Sequence, residues 1–374
     1  DDHKRPLVGT SHLAGRRDNL RLDTPMADGV VANWDAAEAL IDHAYKSCVA
    51  AEPAEHPLLM AEPSFNPAAN REKTAELLFE KFGVPAFFLC KNAALSAFAA
   101  GRGTALVLDV GGGTTTATAV HEGYVLSKSL QRSVCTADML TEMLLRSLEA
   151  RDPPQAVHPI YCVKRAGEGV TVQAPSAKTH ASYHRYMQLQ TLRDAKENVC
   201  RCAYYPPSEA TPIDTSSWVY EMPDRTSVDF AWERLHLPEL YLTPDVLKSG
   251  SDARAAKLAS LVPEGTIALP DMIYECIRAC DTDVRRELWG NVVFSGGGTL
   301  LPGLTERLQA RLGEMVPQMS MKVKIHSAPT PAERRFATWI GGSVLASLGF
   351  FQQLWMSKAE YDEQGAAGIH RKCP

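Results

Sequence analysis

Between residues 33 and 52 the chain places Trp34, Ala37, Leu40, Ile41, Ala44, Tyr45 and Cys48 three and four apart, the spacing of an amphipathic helix. The apolar run PLLMAEP that follows reads as a buried strand. Asn66-Pro67 then offers a capping side chain and a proline for a first helical turn. The helix it opens carries Ala75, Leu78, Phe79 and Phe82 on one face and stops at Gly83. Beyond it the pattern alternates: strand 86–90, helix 92–100, strand 104–109, strand 114–120, a turn at His121-Glu122-Gly123, a further strand and a helix. This predicts a mixed α/β layout.

The pattern loosens over residues 150–263, where Asp152-Pro153-Pro154 and Tyr205-Pro206-Pro207 interrupt it and one clear helix spans about 182–202. A final α/β stretch starts near Ile267. It comprises a helix, a strand at 291–295, a glycine turn and helix, a strand at 321–325, and a long apolar helix to about residue 355. The first two dozen residues read as loop and edge strand. No short-period repeat or low-complexity tract occurs.

Composition narrows the class. At 374 residues and 45% hydrophobic, the chain is long enough for about two domains with their own cores. Lys+Arg 39 against Asp+Glu 44 gives a charge of −5, which argues against a surface built to grip nucleic acid by itself. A subunit beside nucleic acid, with others making the contacts, stays open. The start, DDHKRPLVGT, shows no signal peptide. The apolar stretches 84–100 and 339–355 are interrupted by Lys91-Asn92 and Gln352-Gln353, so no membrane span is expected. Nine cysteines include Cys200-x-Cys202 and Cys276-x-x-x-Cys280 but no C-x-x-C pair; buried reduced thiols are expected, and no metal site.

Two glycine turns carry the candidate chemistry. In LVLDVGGGTTTATAV a strand ends at Asp109, turns through Gly111, Gly112 and Gly113, and returns rich in threonine. Successive N–H groups of such a turn can cradle a phosphate, with the carboxylate beside a hydrated cation. A plain hairpin fits the same residues. In NVVFSGGGTLLPGLTERL a strand enters Gly296, Gly297 and Gly298 and then a helix, an arrangement that can aim a positive helix end at an anion. Neither turn is G-x-G-x-x-G or a P-loop. The two together suggest half-sites facing across a cleft. Arg193, Lys196 and Glu197 share one helix face, which by default is solvated charge.

GVVANWDAAEALIDHAY, HPLLMAEPSFNPAANREKTAELLFEKFGVPAFFLCKNAALSAFAAGR, VLDVGGGTTTATAVHEGYVL, VFSGGGTLLPGLTERL and the terminal ERRFATWIGG…HRKCP resemble the actin superfamily, in its order and over nearly the whole chain. PAFFLCK and RKCP are most similar to its nuclear actin-related members, subunits of chromatin remodellers and histone acetyltransferase complexes. The helix LRDAKENVC is closer to conventional actin. The resemblance implies a duplicated, ribonuclease H-like fold with two domains around a nucleotide cleft. It divides the chain into residues 1–24 as a remnant of subdomain 2, 25–99 with 335–374 as the small domain, 100–135 with 265–334 as the large domain, and 136–264 as subdomain 4.

It also implies roles. Asp109, Gly111, Gly112 and Gly113 match the second phosphate loop; Gly296, Gly297, Gly298 and Thr299 match the other nucleotide loop. Arg193, Lys196 and Glu197 flank the adenosine, and Arg335 covers the base. The implied cofactor is ATP with Mg or Ca. The chain departs from the family at Gly112, where an aspartate is usual, and at Asn92, where a glutamine positions the attacking water. Val134 replaces an acidic residue and Ala137 a glycine. Asn92 is one methylene short, which weakens orientation of water. The chain also begins inside subdomain 2, without the first phosphate loop. The expectation is weak or static ATP binding, negligible hydrolysis and no enzyme activity.

Phe98, Gly101, Gly103, Gly123, Tyr124, Leu345, Leu348, Phe350 and Phe351 match the apolar cleft between subdomains 1 and 3, which suits an amphipathic helix. The expected partners are nuclear actin and a basic helix of a remodeller ATPase or scaffold, with histones or nucleosomes reached through the complex. No membrane and no homopolymer are expected, and the location is the nucleus. A divergent filament-forming cytoskeletal actin is the alternative, and an ATP-dependent sugar kinase or chaperone ATPase ranks third.

Overall fold

The computed structural model describes residues 6–166, 169–207, 218–248, 253–316 and 322–374. Asn33 accepts from the Ala36 N–H and caps the helix Trp34–His43 (α1), which widens into a π-type turn, Ala44–Val49, instead of running on to residue 52. Strand Leu58–Glu62 (β1) pairs in parallel with Ala86–Lys91 (β2), and Met356–Ser357 runs antiparallel along the other edge of β2. Between β1 and β2, the helix Ala68–Glu76 has Pro67 as its N-cap, so Asn66 is not the cap. The Asn66 amide donates to Glu62 Oε2 at 2.8 Å, because Glu62 is buried and its carboxylate needs donors.

Helix Asn92–Ala99 (α2) follows β2 directly. The central hairpin then forms from Ala105–Val110 (β3) and Thr115–His121 (β4), with Leu108 opposite Ala117. Helix Ala137–Glu149 (α3), capped by Thr136, and the long helix Ala181–Val199 (α4) come next. Strand Val292–Ser295 (β5) lies parallel to β3 with Ser295 opposite Asp109. Its outer neighbour is Ile325–Ser327, so that strand begins where it was expected to end; residue 321 lies outside the described residues. Helix Leu304–Met315 (α5) follows β5, and Ala337–Ala346 (α6) packs on α2. The apolar C-terminal segment is not one helix: α6 ends at Ala346 and a 3-10 turn, Gly349–Gln353, follows. Among the described residues, no helix is long and apolar enough to cross a membrane.

The buried side chains form separate cores. One gathers Leu78, Phe79, Phe87, Leu89, Phe351 and Ile369 around the three-stranded sheet. The larger one gathers Leu106, Leu108, Leu144, Leu192, Trp289 and Phe294 between the six-stranded sheet and the helices on it. A third, smaller cluster joins Ala93 and Ala97 of α2 to Val107 and Val293. Apolar burial of this extent is the main favourable term in folding. The nine cysteines are free thiols, and only Cys48 is exposed.

Candidate functional site

The register of β3 and β5 places their two glycine turns side by side. At Gly296 (φ +85°) a Cβ would lie 2.5 Å from both Asp109 Oδ1 and the Val110 carbonyl, and at Gly298 2.5 Å from Val110 Cγ1. Only glycine allows that approach. Gly111 N–H closes its own turn on Thr114 O at 2.8 Å. Among the described residues, the N–H groups of Gly112 and Gly113 donate to no protein acceptor. Asp109 stands between the turns, and burial pushes its carboxyl up to about 6.

Thr299 is buried, and its hydroxyl donates to Gly296 O at 2.7 Å, so it shapes the turn and does not line the cleft. The turn itself winds into a four-residue 3-10 segment, Gly297–Leu300. The long helix α5 starts only at Leu304, where Gly303 (φ +81°) redirects the chain. The expected helix end aimed at an anion is therefore absent from this turn. Pro302-Gly303 sets the helix start, and the glycines serve close packing.

Helix α4 supplies the facing wall. Arg193 donates to Asp138 Oδ1 at 2.8 Å. Lys196 Nζ donates to Ala137 O at 2.5 Å and Thr141 Oγ1 at 2.7 Å, and burial pulls its ammonium below the usual lysine range. These hydrogen bonds join α4 to α3. Glu197 meets Arg335 at 3.5 Å, and Arg335 ends the helix Pro331–Arg335, whose start is a capping box of Thr330 and Glu333. These walls bound a cleft of about 640 Å³, a size that accommodates a nucleotide.

Asp109, Gly111, Gly112, Arg193, Lys196, Glu197, Gly296, Gly297, Gly298 and Arg335 all line this cleft. Gly113 and Asn92 do not; Asn92 opens α2 at the end of β2. Asp138, Tyr241 and Leu300–Pro302 also line it and were not anticipated. Asp138 was legible as an acidic residue just after the Thr136 cap; Tyr241 is brought in from a distant core turn without a local signal. The free N–H groups, the close glycine turns and the apolar end at Leu300–Pro302 fit a phosphorylated ligand with a planar base.

The apolar groove is smaller than expected. Gly123 (φ +85°) donates its N–H to Gly103 O at 2.8 Å, and a Cβ there would sit 3.2 Å from Phe98 Cζ. Gly101 (φ +65°) ends α2 beside them. Tyr124 and Phe350 are exposed at 64% and 58%. Leu345 and Phe351 are core residues, at 5% and 0%, and cannot form the groove surface; Phe351 packs edge-on against Phe88 at 5.1 Å. Leu348 also packs against that core. Leu354 adds an exposed apolar side chain that was not foreseen. A second hollow of about 450 Å³, lined by Leu59, Leu95, Phe336 and Trp339, lies between β1 and α6. Its signal was the i, i+3 spacing of two aromatics at the start of α6.

Comparison with known proteins gives this architecture its relatives. Actin-related protein 4 of Arabidopsis thaliana is 40% identical over 375 residues, spanning 99% of this chain and 84% of that protein. The protein of the same name from Oryza sativa subsp. indica is 39% identical over 377 residues, 99% of this chain and 83% of its own length. That of Neurospora crassa is 36% identical over 368 residues, 94% and 74% of the two chains. The family model described as Actin matches residues 1–374. With this similarity over nearly the whole chain and a family model that matches residues 1–374, the chain belongs to the actin family.

Proposed function

We propose that the chain is a non-catalytic actin-related subunit of nuclear chromatin-remodelling or histone-acetyltransferase complexes. It sits with actin on an amphipathic basic helix of the remodeller or scaffold and holds ATP weakly, with Mg or Ca, without turnover. Nucleosome or histone contact comes through the complex.

The observation that carries the partner reading is the exposure of two large aromatics, Tyr124 just after the Glu122-Gly123 turn and Phe350 in the C-terminal 3-10 turn. Exposed aromatics suit one face of a helix, and aromatic anchors dominate such interfaces. The charge of −5 suits a basic partner. The static-nucleotide reading draws on the cleft, whose three cationic side chains are each engaged by protein acceptors. Asn92 is one methylene shorter than the glutamine that positions water in the family and does not line the cleft.

The test is binding of a synthetic helix with a leucine face and a lysine–arginine face. Tyr124→Ser with Phe350→Ser is expected to weaken binding at least about tenfold while the melting temperature holds. Unchanged binding, or steady ATP turnover like that of filament-forming actin, contradicts the proposal.

A further inference from the structure

We infer that Tyr241 is a specificity-determining residue: its hydroxyl hydrogen-bonds the sugar–base half of a bound nucleotide and so favours nucleosides over bare polyphosphates. The inference rests on reading the cleft as a nucleotide site.

Tyr241 follows the helix Glu233–Glu239, and its backbone is already spent. The N–H donates to Pro238 O at 3.1 Å, and the carbonyl accepts from the Leu269 N–H at 2.8 Å. The side chain is 1% exposed and belongs to the larger core, yet it also forms part of the cleft wall. Its hydroxyl is buried with no hydrogen-bond partner among the described residues. Buried polar groups are nearly always paired, and one left unpaired is costly.

The other polar side chains of the wall, Asp109 apart, meet protein partners. Arg193 is engaged by Asp138, Lys196 by Ala137 and Thr141, and Arg335 by Glu197. Tyr241 instead keeps a hydrogen-bonding group in reserve. Burial raises its phenol well above the ordinary value, so it stays an O–H that both donates and accepts. Such a neutral group suits a sugar hydroxyl or a ring nitrogen and adds no charge for phosphates.

Position points the same way. Leu140 shares the core cluster of Tyr241, Leu301 packs against that cluster, and both line the cleft. Cys202 lies near enough to act on the phenol, and its N–H donates to Pro302 O at 2.8 Å. Asp138, at the start of α3, acts on it as well. The hydroxyl thus sits where the apolar end at Leu300–Pro302 meets α3, beneath the place a planar base fits.

The test is calorimetric titration of the wild-type chain and of Tyr241→Phe with adenosine, ATP and inorganic tripolyphosphate, all with Mg. Phenylalanine keeps the ring and removes one unpaired oxygen, so the melting temperature should hold or rise. The variant is expected to weaken adenosine and ATP by a common factor of at least about fivefold. Tripolyphosphate affinity should stay within about twofold. Equal adenosine affinity in the two proteins overturns the inference, while ATP binding by the wild type leaves the nucleotide reading standing. An equal loss for all three ligands also overturns it, since the hydroxyl would then act on the fold or on the phosphates. If the wild type binds neither adenosine nor ATP, both readings fall.

Discussion

Ser295 sits opposite Asp109 in the parallel register of β5 and β3. Two strands far apart in the chain therefore end at one level, and each hands over to its glycine turn at the same point. The consequence is a carboxylate trapped between two backbones, with its pKa raised to about 6 by burial.

That shift has a sign. The folded chain holds the Asp109 proton at pH values where the unfolded chain has released it, between about 4 and 6. This group's contribution to stability therefore falls as pH rises through that window. Asp109→Asn should remove that part of the slope in urea midpoints measured from pH 4 to 7. Identical slopes in the two proteins would show that the carboxyl titrates normally.

Phe350 and Phe351 are neighbours in sequence and opposites in environment, at 58% and 0% exposure. Phe351→Ala should destabilise by about 3–5 kcal/mol through the cavity it leaves against Phe88 and Trp355. Phe350→Ala should stay within about 0.5 kcal/mol. Chemical denaturation of both variants checks this, and equal losses would contradict the division between core and groove.

Arg307 and Glu239 form an ion pair at 2.7 Å with side chains only 5% and 0% exposed. Burial raises the Glu239 pKa and the Arg307 guanidinium opposes that rise. Arg307→Met, which strands the carboxylate, should cost about 3–5 kcal/mol, and replacing both partners with apolar residues should recover much of it. A double-mutant cycle in urea separates these outcomes; a loss below about 1 kcal/mol for the single variant would place the pair in water.

Gly341 lets α6 touch α2, since a Cβ there would overlap the Leu95 carbonyl. Backbone cannot swing aside as a side chain can, so Gly341→Ala should cost about 1–3 kcal/mol or more. It should also shift the melting temperature well beyond Gly349→Ala, where a Cβ meets nothing within 4 Å.

The alternation of strands and helices from 86 to 120 was legible because each element carries its own period and punctuation. The glycine turns were legible for the same reason, being strand ends followed by unbroken glycine. Three things were hidden in tertiary context. Asn66 looked like a cap until the buried carboxylate of Glu62 claimed its amide. Leu345 and Phe351 have the same apolar character as exposed Phe350, and only packing separates core from groove. Asp138 drew no reading from the sequence, and its place over Gly112 follows from two backbone hydrogen bonds that no local pattern announces.

The most direct test of the central claim is native purification of the chain from its own cells, with mass spectrometry of what accompanies it. Stoichiometric actin with a remodelling ATPase or an acetyltransferase scaffold is the predicted result. Recovery as a homopolymer, or with filament-capping partners and no chromatin factors, would contradict the account and favour a divergent cytoskeletal actin.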